Sequence, residues 1–268
     1  MDFQPLHVWI PVSTQPLVIA GPCSAETEEQ VMITAQAISQ IPQVKVFRAG
    51  IWKPRTRPGT FEGVGVDGLR WLKRVKKETG LLTTVEVASP QHVQEALAHN
   101  IDILWIGART VVNPFSMQEL SESLAGIDIP VMVKNPVNPD LGLWIGAIER
   151  LYKNGLHRIA AIHRGFYQFE KTQYRNAPQW EIPIELMRQM PGLPVICDPS
   201  HIGGNRKLLQ QISQQALDLE MQGLMIETHP NPDLAWTDAA QQVTPATLDQ
   251  ILNQLILRDQ TGSREFER

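Results

Sequence analysis

From Leu17 onward, short unbroken apolar runs alternate with longer segments of helical spacing. The runs cover residues 17–20, 44–47, 82–87, 103–106, 131–133, 158–162, 195–196 and 223–226. Taken together they are rich in Val, Ile and Leu and show little regular polar alternation, the pattern of strands buried on both faces. The intervening segments, 27–41, 66–78, 90–99, 116–124, 143–153, 183–190, 206–219 and 245–257, carry apolar residues at three- and four-residue intervals. Thr27, followed by Glu28 and Glu29, reads as an N-cap with acids in the first turn. Eight strand–helix units in this length predict a parallel sheet closed into a (β/α)8 TIM barrel over residues 1–257. An open doubly wound sheet is the alternative, but no GxGxxG turn follows an early strand. Residues 1–16, with alternating apolar positions and two prolines, predict a short strand or hairpin plugging one end. Residues 258–268, RDQTGSREFER, read as a polar tail.

Composition narrows the class. The chain has 268 residues, 43% hydrophobic and 19% charged, with a formal charge of −4, an ordinary globular balance and not the basic excess of a nucleic-acid surface. No apolar run approaches the roughly 18 residues needed to span a bilayer. Two cysteines, Cys23 and Cys197, are too few for a disulfide framework and fit a reducing cytoplasm.

In such a barrel the chemistry sits at the C-terminal strand ends. Strand by strand, those ends deliver Cys23 and Ser24; Arg48 and Lys53; Glu86; Gly107, Ala108 and Arg109; Lys134 and Asn135; His163 and Arg164; Asp198, Ser200 and His201; Glu227 and His229. The stretch after the second strand, FRAGIWKPRTRPGTFEG (47–63), concentrates Arg48, Lys53, Arg55 and Arg57 among prolines and glycines. Arginine on a stiff loop suits multidentate capture of phosphate or carboxylate. Arg48, Lys53, Arg55, Arg109, Lys134 and Arg164 therefore predict a pocket for a highly charged anion. Barrel acids such as Glu86, Asp198 and Asp102 are the competing partners. A second set, Cys23, His201, Glu227 and Asp238, offers thiolate, imidazole and carboxylates suited to Zn, Fe, Mn or Co. A buried cysteine that is merely a small hydrophobe is the alternative there. Cys197, between apolar neighbours, reads as core, and His163 and His229 as supporting or rim residues.

The motifs GPCS (21–24), FRAGIWKPRT (47–56), IGAR (106–109), VKNP (133–136), HRG (163–165), DPSH (198–201) and IETH (226–229) resemble those of the 3-deoxy-7-phosphoheptulonate (DAHP) synthases. The resemblance is to the branch related to 3-deoxy-octulosonate 8-phosphate synthase, and it spans nearly the whole chain. It implies condensation of phosphoenolpyruvate with erythrose 4-phosphate, the first step of the shikimate pathway. Carried over by motif, Cys23, His201, Glu227 and Asp238 hold a divalent metal. Arg48, Lys53, Arg109, Lys134, Arg164 and the backbone at Gly107 and Ala108 hold phosphoenolpyruvate, and Arg55 and Thr56 hold the aldose phosphate. Lys53 is the implied proton donor to the aldehyde oxygen, and Glu86 a group handling the proton of the attacking water. The octulosonate enzyme using arabinose 5-phosphate, and an anion-binding barrel without turnover, are the rival readings. The resemblance further implies a cytoplasmic homodimer or homotetramer, with a chorismate mutase domain or partner in some relatives. The segment 53–56, KPRT, favours the heptulosonate form. Arg57, Gly59 and the loop TDAAQQ (237–242) depart from the usual pattern.

Overall fold

A computed structural model describes residues 1–11, 16–53 and 59–257. Eight parallel strands pair in sequence order and close on themselves. They are β1 (Leu17–Gly21), β2 (Val44–Arg48), β3 (Leu82–Val87), β4 (Ile103–Ile106), β5 (Val131–Lys134), β6 (Ile159–His163), β7 (Val195–Cys197) and β8 (Gly223–Glu227). The closing seam is the β1–β8 pair, whose register runs from Leu17 opposite Gly223 to Gly21 opposite Glu227. Gly21 sits at φ 141°, and a Cβ there would lie 2.1 Å from the Arg48 carbonyl, so the seam's upper end needs glycine.

The helices are α1 (Leu6–Trp9), α2 (Glu28–Ile38), α3 (Val66–Thr79), α4 (Pro90–Ala98), α5 (Ala108–Val111), α6 (Pro114–Ser123), α7 (Leu141–Lys153), α8 (Glu181–Gln189), α9 (Pro199–Gly203), α10 (Leu209–Asp218) and α11 (Pro245–Asn253). Side-chain caps set many of their starts: Thr27, Ser89, Asn113, Asp140, Asp198 and Thr244 each accept a first-turn N–H. Proline follows the cap in α4, α6, α9 and α11, where its missing donor costs nothing.

The strands are mostly apolar on both faces because they serve two cores. Val18, Ala20, Val85, Leu104, Val131, Ala161, Cys197 and Leu224 face outward under the helices. Leu17, Ile19, Val46, Ile103, Trp105, Met132, Ala160, Ile162, Ile196 and Met225 fill the barrel. Leu6, Trp9 and Ile10 belong to that inner cluster, so the N-terminal segment does plug the barrel. It does so as the helix α1, and not as the expected strand or hairpin. Phe3, Leu6, Trp9 and Ile10 recur at three and four positions, the helical spacing, which outweighs the apparent alternation.

Inner positions change character up the barrel. Two residues beyond the last inner apolar side chain, the same pleat phase presents Arg48, Lys134, Arg164, Asp198 and Glu227, and on β3 it runs from Leu82 through Thr84 to Glu86. The floor is thus dry and the mouth charged. His163 has the opposite phase and packs outward among Trp144, Phe166 and Trp180. Asp102 is at the other end of β4, bound to Lys76 and Thr83, and takes no part in the mouth.

Candidate active site

At the mouth, β1 and β8 bring Cys23 and Glu227 together, and the loop after β8 adds Asp238. One donor atom from each lies within 4.8 Å of the other two. Cys23 Sγ is 3.4 Å from Asp238 Oδ2. His201, on the short helix α9, directs Nε2 to within 3.8 Å of Glu227 Oε1 and 4.0 Å of Asp238 Oδ2. Its Nδ1 lies 2.8 Å from Asp198 Oδ2, which leaves Nε2 to face the cluster. The four predicted metal ligands therefore converge.

The local chemistry fits a cation. Glu227 Oε1 is a fully buried carboxylate oxygen with no hydrogen-bond donor, although Arg48 Nη2 is 3.3 Å away. Buried acceptors left this way are rare without a ligand. Burial, reinforced by Glu227, pushes the Cys23 thiol up to about 11, with Lys53 offsetting part. Burial would also raise Asp238, but Arg175, His201 and Lys53 outweigh it and hold the carboxyl down at about 2. One thiol and two carboxylates around an imidazole form a borderline-soft donor set.

Beside the cluster a cavity of about 420 Å³ is lined by Lys53, Glu86, Gly107, Arg109, Lys134 and Arg164, with Arg175 and Asn176 across from them. Lys53 Nζ donates to the Cys23 carbonyl at 2.9 Å and lies 3.0 Å from its Sγ. Desolvation acts against its charge, but Cys23 and Glu227 more than compensate, so the lysine remains an ammonium. Arg48 lies over the Trp105 ring at 5.0 Å, and Trp105 Nε1 donates to Glu86 Oε2. Gly107 lets Glu86 approach, since a Cβ there would meet Glu86 Oε1 at 2.0 Å.

Among the described cations, Lys134 pairs with Asp198 at 2.9 Å and Arg48 with Glu227. Arg164 is different. Its Nη1 donates to neutral oxygens, Asn176 Oδ1 at 2.9 Å and the Gly165 carbonyl at 3.4 Å. Burial, then Arg175 and Arg109, lower it to about 10 against the opposing pull of Asp198. A buried guanidinium so placed is suited to an incoming anion.

The family model described as the DAHP synthetase I family matches residues 7–261. The chain belongs to that family. Among curated relatives of this DAHP synthetase I member, a phospho-2-dehydro-3-deoxyheptonate aldolase of Thermotoga maritima is 32% identical over 226 residues. That alignment covers 84% of this chain and 64% of the relative. A 2-dehydro-3-deoxyphosphooctonate aldolase of Syntrophotalea carbinolica is 28% identical over 253 residues, covering 87% of this chain and 86% of that one. The crystal structure of the T. maritima DAHP synthase superposes with a TM-score of 0.79 at 29% identity, over 88% of this chain and 66% of that chain. A truncated T. maritima 3-deoxy-D-arabino-heptulosonate 7-phosphate synthase gives 0.75 at 28% identity, over 88% and 83%. The chain thus spans about two thirds of the heptulosonate relative's length. No helix among the described residues is long and apolar enough to cross a membrane.

For this family member the structure brings together Cys23, Arg48, Lys53, Glu86, Gly107, Ala108, Arg109, Lys134, Arg164, His201, Glu227 and Asp238 at one mouth. Arg55 and Thr56 lie outside the described residues. His229 is buried beside Glu26, 3.4 Å away, and supports the loop after β8. Arg175, Asn176 and Gln241 were not predicted. They follow β6 and β8 at a distance, beyond the residues adjoining a strand end, and only the unusual TDAAQQ segment pointed toward one of them.

Proposed function

We propose that this protein condenses phosphoenolpyruvate with erythrose 4-phosphate and water, giving 3-deoxy-D-arabino-heptulosonate 7-phosphate and inorganic phosphate. The observation that carries the reading is a cation-lined cavity opening directly onto the Cys23–His201–Glu227–Asp238 cluster. A divalent ion held by those four side chains would supply Lewis acidity at the aldehyde oxygen. Arg109, Arg164 and Lys134 hold the phosphate and carboxylate of phosphoenolpyruvate, with the backbone at Gly107 and Ala108. Lys53, an ammonium at the cluster's edge, donates a proton to the aldehyde oxygen as charge builds there. Carbon 3 of phosphoenolpyruvate forms the new bond, and water adds at carbon 2 before phosphate leaves. Glu86, opposite Gly107, accepts the proton of that water. Fixed charges in a partly dry cavity are already oriented for these changes. Arg55 and Thr56 are the motif's holders of the second phosphate.

The octulosonate reading draws on relatives such as the S. carbinolica enzyme, which align over most of both chains. Phosphate release from phosphoenolpyruvate, measured with erythrose 4-phosphate and with arabinose 5-phosphate, separates the two. Erythrose 4-phosphate should give the higher kcat/KM, and exhaustive chelation should abolish turnover until Mn²⁺ or another divalent ion is returned. The reverse preference would move the assignment to the octulosonate enzyme. No release with either aldose would leave an anion-binding barrel.

A further inference from the structure

Behind the metal cluster, Gln241 and Arg175 form a chain that touches both carboxylates. Gln241 is almost fully buried. Its Nε2 donates to Glu227 Oε2 at 2.7 Å and lies 3.4 Å from Asp238 Oδ2. Its Oε1 accepts from Arg175 Nη1 at 2.6 Å, which fixes which end of the amide faces Glu227. The same Nη1 is 3.0 Å from Asp238 Oδ1.

The two acids are held asymmetrically: each has one oxygen in a short contact outside the cluster and the other turned toward it, with a longer 3.4 Å bond from Gln241 reaching Asp238 Oδ2 as well. Glu227 Oε2 is taken by Gln241, whereas Oε1 is buried, lacks a hydrogen bond and faces His201. Asp238 Oδ1 is taken by Arg175, whereas Oδ2 faces Cys23 and His201. Asp238 also adopts φ 50°, a left-handed conformation unfavourable for a residue with a Cβ. Strain of that kind persists where neighbours hold the residue in place. Gln241 N, bonded to the Asp238 carbonyl at 3.1 Å, closes the turn that does so.

We propose that Gln241 and Arg175 are positioning residues, Gln241 holding Glu227 Oε2 and Arg175 holding Asp238 Oδ1, so that Glu227 Oε1 and Asp238 Oδ2 are the metal-facing oxygens and each carboxylate binds the ion through one oxygen only. The inference rests on the metal reading above and extends it. An uncharged amide suits the position, because a Glu in its place would set a third carboxylate against Glu227, and a Met would keep the bulk without the donor. Unrestrained, Glu227 is free to turn both oxygens to the ion, and Asp238 to swing away.

The test uses the full-length protein freed of metal and titrated with Co²⁺, whose absorption reports its own ligands. In the unmodified protein a thiolate-to-cobalt charge-transfer band should mark Cys23. Gln241→Met and Arg175→Gln should keep that band, weaken Co²⁺ affinity ten- to hundred-fold as is typical for lost supporting contacts, and lower the visible d–d absorption as coordination number rises. Arg175 is substantially exposed, so its variant keeps the test open should Gln241→Met fail to fold, and circular dichroism checks each. Unchanged affinity and unchanged visible bands in the folded variants overturn the proposal. Absence of the charge-transfer band in the unmodified protein instead overturns the metal reading, so the two failures are distinct.

Discussion

Arg164 is a guanidinium held by amide oxygens in a pocket it shares with Arg109 and Arg175. If it grips phosphoenolpyruvate through its planar fork, lysine is no conservative substitute, since a point charge cannot reproduce two parallel donors. Arg164→Lys should raise KM for phosphoenolpyruvate and leave that for the aldose phosphate nearly unchanged. The expected loss is about 1.5–3 kcal/mol, or roughly ten- to a hundred-fold in kcat/KM. Melting temperature should change little, because lysine keeps the positive charge and can still donate to Asn176 Oδ1. Steady-state kinetics and a thermal melt check both halves. An unfolded variant would show Arg164 to be a structural link between Asn176 and the strand end.

At the level of elements, the alternation of apolar runs and helical segments revealed the barrel, and strand ends revealed most of the mouth. Thr27 was legible as a cap because an acceptor preceded two acids at the start of a periodic run. The helices α5 and α9 were not legible, although they carry Arg109 and His201. Four or five residues are too few for a 3.6-residue period to show. Nor did the strand-end reading use pleat phase, which separates the inward Arg164 from the outward His163 beside it. The partners of Asp238 come from loops distant in the chain, and no local pattern encodes such a meeting.

The loop after β8 is fastened to the loop after β1 by several short contacts. Gln242 Oε1 accepts from Cys23 N at 3.0 Å while its Nε2 donates to the Thr237 carbonyl at 2.8 Å. Ser24 and Thr237 share a 2.6 Å hydroxyl bond, and Trp236 N donates to Glu26 at 2.7 Å. Gln242→Ala strands a buried donor and a buried acceptor at once. It should cost about 1–3 kcal/mol per unpaired group, read from urea unfolding of the metal-free protein. A loss below about 0.5 kcal/mol would mean that the remaining contacts carry the fastening alone, since ordinary surface changes fall within that range.

For the molecule as a whole, the buried imidazole of His163 ties stability to pH. Burial, together with Arg164, drives its pKa down to about 3, and Asp198 and the Pro178 carbonyl restore only part. The unfolded chain takes up this proton near pH 6.5 while the folded one refuses it until about pH 3. Between those values the unfolded state binds more protons, so stability falls as pH falls, by about 1.4 kcal/mol per unit once well below 6.5. His163→Phe, surrounded by Trp144, Phe166 and Trp180, should remove this share. Urea unfolding of both proteins at pH 7 and pH 5 tests it. Parallel losses in the two would show that His163 is not the group responsible. Lowered pKa values at His92 and His201 act in the same direction and remain in the variant, so the difference between the proteins isolates His163.

The seam between β1 and β8 has a consequence in time. Cys23 and Asp238 meet across 215 positions of chain. At typical synthesis rates of roughly 5–20 residues per second, Cys23 emerges on the order of 10–40 s before its last partner is made. Through that interval its thiol has neither acid beside it, and β1 has no neighbour on its outer edge. If the four side chains hold an ion as proposed, the full ligand set exists only once β8 and its loop have been made, and loading is a late event. An ion with that ligand set could not template the early barrel.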